Sequence, residues 1–292
     1  MSGRAGESGE GAGSSLEALR GEIDSIDTAI HELIMKRASL QDRVAAAKAR
    51  EGAPAGYMRP GREAQILRRI AAAHRGPYPL DVVMRVWREL ISAGLGVQRP
   101  FRVEVLGEEG SLELWDLARA HFGGGVGMRL AHGGQSGLLL HLAAEPGTVG
   151  IVPAPHPQGD DRPWWAALVS DDPGRPRVIA RLPFFREADA GGRGGFALCA
   201  IPLDPSGADT SLVVVRGPES GTPARLTEMA AAAGIEGETL SMAREPGGAR
   251  SLLLACPGFL DPADPRLAEA RAHGLLGLHL IGAYADPILY RR

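Results

Sequence analysis

The sequence predicts a multidomain chain: an all-α three-helix unit, then a small α/β unit, then a βαββαβ ferredoxin-like unit. Three observations carry this. Apolar residues recur every three or four positions up to about Val97. Beyond Arg99-Pro100, strand-like and helix-like segments alternate. From residue 208 the segments run strand, helix, strand, strand, helix, strand. At 292 residues the chain exceeds what one core usually supports, and it divides as 1–14 (disordered tail), 15–99 (helical), 100–207 (α/β) and 208–292 (ferredoxin-like).

The first helix is expected from a Ser14 or Ser15 cap to about Glu51, with Leu16, Leu19, Ile23, Ile26, Ile30, Leu33, Leu40 and Val44 on one stripe. Such a rod would be roughly 55 Å long, more than a small three-helix unit covers, so its stripe calls for a partner chain. Gly52-Ala53-Pro54-Ala55-Gly56 ends it, and Pro60 opens a second helix carrying Ile66, Leu67 and Ile70. A third follows Pro79, with Val82, Val83, Val86, Trp87, Leu90 and Ile91 giving a broad apolar face.

In the α/β unit, FRVEVLG and VGIVPAP read as strands and SLELWDLARAHF and GLLLHLAAE as helices, which suggests a partly parallel sheet. In the last unit TSLVVVRG, GETLSMARE, RSLLLACPG and LHLIGAYA are the strands, and PARLTEMAAAAG and DPRLAEARAHG the helices. The Trp164-Trp165 pair reads as core packing.

Composition excludes several classes. With 44% apolar residues, 23% charged residues and a net charge of -3, nothing argues for nucleic acid or anionic lipid as a partner. Residues 1–14 lack the apolar core of a secretory signal, and no apolar run is long enough to span a bilayer, so a soluble cytoplasmic protein is expected. Cys199 and Cys256 lie in apolar strands and read as buried thiols. The eight histidines show no zinc spacing, and no metal or cofactor is expected. GGGVG after His121 and GGRGG at Gly191 lack the strand-then-helix context of a phosphate loop.

The informative anomaly is Arg37, which falls on the apolar stripe of the first helix between Leu33 and Leu40. A cation there must meet an anion, because an unpaired buried charge is costly. Lys48 follows eleven residues later, and eleven steps of about 100° return to within about 20° of the same face. The two line one groove about 16 Å apart, within reach of opposite ends of a small dianion. Arg20 lies about 25 Å from Arg37 along the axis and cannot serve that groove of its own chain, but could serve a partner's in an antiparallel dimer. Glu63 sits in the first turn of the second helix, and Gln98 at the end of the third. Singly, each has an ordinary explanation as a surface or helix-end residue.

Together, LEALRGEIDSID, ELIMKRASL, VAAAKARE, YMRPGREAQIL and VWRELISAGLGVQ resemble, in order and spacing, the all-helical chorismate mutases, across residues 15 to 98. The resemblance implies an intertwined homodimer that converts chorismate to prephenate without a cofactor. Arg37 and the other subunit's Arg20 would hold the two carboxylates, Lys48 and Gln98 would donate to the breaking ether oxygen, and Glu63 would accept from the ring hydroxyl. Arg62 would support the edge of the site. The chain departs from the family at Arg59, where an acidic residue is usual, and at Gly94, where a serine is usual, which leaves Glu63 alone at the hydroxyl end.

The remainder resembles part of a prephenate dehydratase, through VEVLGEEGSLELWDLARAHF and VGIVPAP, followed by an ACT-like regulatory domain ending LHLIGAYADPI. The segment is too short for both dehydratase lobes, and where the family carries Thr-Arg-Phe this strand reads GGFALCAI, so dehydration is expected to be lost. Around Gly221 to Leu226 and Ala243 to Pro246 the resemblance implies an aromatic amino acid effector, alongside the alternative that these turns serve only folding or dimerisation. Two other functions stay open: a noncatalytic aromatic amino acid-binding regulatory protein, and a bifunctional mutase and dehydratase.

Overall fold

A computed structural model describes residues 15–50, 58–107, 111–145, 147–159, 163–172, 174–188, 191, 194–245 and 247–290, without the side chains at 42, 45, 48 and 49. The expected tail over residues 1–14 and the break from Gly52 to Gly56 lie outside the described residues. The chain divides into two compact units, Met1–Ala53 and Pro54–Arg292.

The first unit is helix α1 (Leu16–Arg50). Ser15 starts it, its Oγ accepting the Ala18 N–H at 3.2 Å. At 35 residues it extends about 52 Å. Leu19, Ile23, Ile26, Ile30, Leu33, Leu40 and Val44 share one stripe, and each is between 45% and 64% exposed.

The second unit opens with α2 (Pro60–Ala73) and α3 (Leu80–Gln98). There follow β1 (Arg102–Val105), α4 (Ser111–Phe122), β2 (Gly127–Leu130), α5 (Gly134–Ala144), β3 (Thr148–Pro153), β4 (Arg177–Leu182), β5 (Phe185–Glu187) and β6 (Gly195–Cys199). The last part holds β7 (Asp209–Gly217), α6 (Pro223–Ala232), β8 (Glu238–Arg244), β9 (Arg250–Pro257), β10 (Gly277–Ala285) and β11 (Ile288–Tyr290). The segment DPRLAEARAHG, expected as an α-helix, is a 3-10 helix over Pro265–His273. Asp264 accepts the Arg266 N–H at 3.0 Å and pairs with its guanidinium at 2.7 Å, while Arg266 Nη1 is anchored to the Gly234 carbonyl at 3.0 Å, which keeps the first turn tight.

Nine strands form one mixed sheet in the order β2-β1-β3-β6-β4-β10-β7-β9-β8. Strand β1 is parallel to β2 and β3, and the pairs β10-β7, β7-β9 and β9-β8 are antiparallel. The sheet crosses residue 207 without a break, because β10 lies beside β4 with Gly282 opposite Val178. A Cβ at Gly282 would stand 2.3 Å from the Val178 carbonyl oxygen, so the approach of these two backbones requires glycine there. The inner strands β3, β6, β7 and β9 are buried along nearly their whole length, on both faces, which explains their near-continuous apolar runs. In β7, Leu212 and Val214 pack with Trp164 and Trp165 on one face, while Val213 and Val215 pack under α6 on the other.

Helices α2 and α3 share a core with the α/β part, through Leu67, Met84, Ile91, Val103, Leu114 and Phe122. The buried face of α3 is set by Met84, Arg88, Ile91 and Leu95. The sequence expectation, which included Val86, is corrected here: Val86 is 46% exposed, because α4 and the sheet lie on the other side of the helix. Among the described residues no helix is long and apolar enough to cross a membrane.

Candidate functional site

The entry to α2 sets the geometry. Its leading N–H groups need an acceptor, and Arg59, just before the helix, supplies no side-chain cap. Asp204, in the loop between β6 and β7, supplies it: Oδ2 accepts the Arg62 N–H at 3.0 Å, and Oδ1 accepts from Arg59 Nη2 at 2.7 Å. The fit is close enough that a Cβ at Gly61 would fall 2.3 Å from the Asp204 carbonyl oxygen. About two turns on, Arg68 bonds Ser206 Oγ at 2.8 Å and the carbonyls of Ala208 and Asp286 at 2.7 and 2.9 Å. These contacts fix the roll of α2.

That roll turns Glu63 inward. Its Oε2 accepts from Arg88 Nη1 on α3 at 3.3 Å, with Arg88 buried and Glu63 partly buried. Its Oε1 has no hydrogen-bond partner among the described residues. Burial pushes the Glu63 carboxyl up to about 7, against the pull of Arg88 and with the added push of Asp204. Burial likewise brings Arg88 down to about 10, with Glu63 opposing. The Phe184 ring lies 5.1 Å from the Arg88 guanidinium, a cation-π contact. His121 on α4 is held well below its usual value by burial and by Arg88, so it is neutral at pH 7.

The structure therefore gathers Arg59, Arg62 and Glu63 around Asp204 and Arg88. Arg62 itself is exposed, with Nη1 3.4 Å from Gln65 Oε1. Gln98 is the exposed last residue of α3. Arg20, Arg37 and Lys48 belong to the other unit. There Arg37 is half-buried, bonds Gln41 Oε1 at 3.1 Å, and has its pKa lowered by burial. Arg20 is exposed, and the Lys48 side chain lies outside the described residues.

Sequence reasoning missed Arg88 and Asp204. Arg88 had a signal, since it interrupts the stripe Met84, Ile91, Leu95 as Arg37 interrupts that of α1. Asp204 had none, because its role depends on a contact across 142 positions. The glycine-rich turn after α4 takes up a carboxylate of the chain itself, Gly124 N–H donating to Glu89 Oε1 at 2.8 Å. Cys199 and Cys256 are buried free thiols, both pushed up to about 11 by burial.

The fold thus defines a class: a long helix in one unit, and in the other a helical hairpin built onto a mixed α/β sheet, with charged residues on three helices. Residues 19–99 match the family model of type II chorismate mutases, and the N-terminal part of the chain is a chorismate mutase domain of that type. A bifunctional chorismate mutase/prephenate dehydratase of Pseudomonas aeruginosa is 39% identical over 114 residues, which are 38% of this chain and 31% of that relative. One of Neisseria gonorrhoeae is 38% identical over 104 residues, 36% of this chain and 27% of that relative. The matches thus span about three tenths of these curated relatives. The solved prephenate dehydratase of Streptococcus mutans is similar over 66% of this chain and all of that chain, at 14% identity and a TM-score of 0.42.

Proposed function

We propose that the protein is a chorismate mutase, an isomerase that converts chorismate to prephenate in aromatic amino acid biosynthesis. The observation that carries this reading is the family match over residues 19–99. A pericyclic rearrangement needs no nucleophile and no proton shuttle. The enzyme confines the compact conformer of a dianion and stabilises charge building on the ether oxygen. Arg37 and Arg20 of the partner subunit do the first, Lys48 and Gln98 the second. Glu63, in its ionised form, accepts from the ring hydroxyl, with Arg62 and Arg59 at the margin of the site.

The exposed apolar stripe of α1 supports a homodimer. A 35-residue rod with leucines and isoleucines open along its length needs apolar cover, which a second copy can supply. The spatial order β10-β7-β9-β8, all antiparallel, supports the ferredoxin-like, ACT-like reading of residues 208–292, following an α/β domain over 100–207 and the helical domain over 15–99. An aromatic amino acid effector would belong to that last part. The protein would work in the cytoplasm without cofactor.

Prephenate dehydration is lost on this reading. Strand β6 reads Phe196, Ala197, Leu198, Cys199, all fully buried, and offers neither a cation nor a hydroxyl for that chemistry. A second reading, that both activities persist, is favoured by the bifunctional relatives. One assay separates them: purified protein is given chorismate, and chorismate, prephenate and phenylpyruvate are followed. Prephenate alone is the expected product, phenylpyruvate would establish the second reading, and no chorismate loss would end both.

A further inference from the structure

Between α2, α3, α4 and the turn joining β4 to β5 lies a cavity of about 310 Å³, within the roughly 300–1,000 Å³ of small-molecule sites. One side is aromatic: Phe184, with Phe185 and Tyr290 stacked at a centroid separation of 4.4 Å. Leu67, Met84 and Leu117 add apolar surface.

The cavity is also lined by Arg88. A guanidinium carries five N–H donors, yet among the described residues this one makes a single hydrogen bond, to Glu63 Oε2. Arg88 borders the cavity with N–H groups that Glu63 does not engage, and a carboxylate meets the fork of a guanidinium with two parallel bonds. Arg85 lines the cavity too, paired with Asp81 at 2.6 Å, and His121 beside it is neutral at pH 7. The lining thus combines cationic donors with aromatic surface.

We propose that this cavity binds a small aromatic carboxylate, its carboxylate on the N–H groups of Arg88 that Glu63 does not engage and its ring against Phe184 and the Phe185–Tyr290 pair. The ligand and Glu63 then share one guanidinium, so occupancy changes the surroundings of Glu63. On the mutase reading, and only on it, the ligand thereby modulates chorismate turnover. Binding itself does not depend on that reading.

The test is calorimetric titration of the full chain with 3-phenylpropanoate, beside 3-phenylpropanol, which keeps the ring and lacks the charge. The carboxylate binds, and the alcohol binds about tenfold or more weakly for want of the charge-assisted bonds. Arg88→Met abolishes binding, and so does Ala120→Phe, which fills the cavity from an exposed position on α4 and guards against a folding defect in the first variant. Phenylalanine and phenylpyruvate, titrated in parallel, distinguish an amino acid from a keto acid as the source. No heat with 3-phenylpropanoate, equal affinity for the alcohol, or unchanged binding in folded Ala120→Phe overturns the proposal. Because chorismate turnover is assayed separately, either reading can fail while the other stands.

Discussion

The carboxylate of Asp204 accepts the backbone N–H of Arg62 at 3.0 Å across 142 positions of sequence. A residue from the last third of the chain thus caps a helix in its first third, and the orientation of Glu63 follows from that contact.

Breaking this contact should therefore loosen α2. Asp204→Ala removes the acceptor and should cost about 1 kcal/mol, as loss of a helix cap does. Arg59→Ala should change stability by less than about 0.5 kcal/mol, because the Arg59 side chain is 52% exposed and water screens the pair. Gly61→Ala should cost about 1–3 kcal/mol, since backbone must move to admit the methyl group. Urea midpoints check all three, and a Gly61→Ala protein as stable as the parent would contradict the close approach.

Glu63 makes stability depend on pH. Its carboxyl is raised from an ordinary 4.5 to about 7 in the folded protein. Between those values the folded chain retains a proton that the unfolded chain has released, so stability falls as pH rises through this window and levels off above it. The effect is on the order of 3 kcal/mol. Buried His121, with its lowered value, acts in the opposite direction. The difference between wild type and Glu63→Gln isolates the Glu63 contribution: urea midpoints measured from about pH 5 to about pH 8 should show the wild-type advantage shrinking. An advantage that grows with pH would reverse the assignment.

Turnover should be more sensitive than stability to the cations of α1. Lys48→Ala should lower the rate constant for chorismate by about 10²–10³, the usual cost of removing a donor from a developing oxyanion, with the circular dichroism unchanged. Arg20→Ala should be impaired as well. Co-refolded heterodimers of the two variants regain one complete site, and absence of any recovery in verified heterodimers would place each site within a single chain.

The stripe of α1 has its own test. Ile26, 58% exposed, sits near its middle, and Ile26→Lys puts a charge where the second copy should pack. Sedimentation should show the parent at twice the chain mass and the variant shifted toward monomer. A parent that sediments as a monomer at micromolar concentration would remove the basis for the shared site.

Local sequence was enough for features that depend on neighbours a turn or two away. The three-four spacing set α1 from Ser15 onward, Pro60 opened α2, and alternation located the strands, because helix and strand periods are written into the order of apolar residues. It also exposed Arg37 as a cation on an apolar stripe. Contacts between distant segments were not legible in this way. That Asp204 caps α2, that Arg88 is the partner of Glu63, and that β10 joins β4 into a single nine-stranded sheet depend on which surfaces meet. No periodicity encodes that, since each partner alone looks like an ordinary loop acid, helix cation or edge strand. Only when packing removes water from them do their charges and open backbone groups have to find one another.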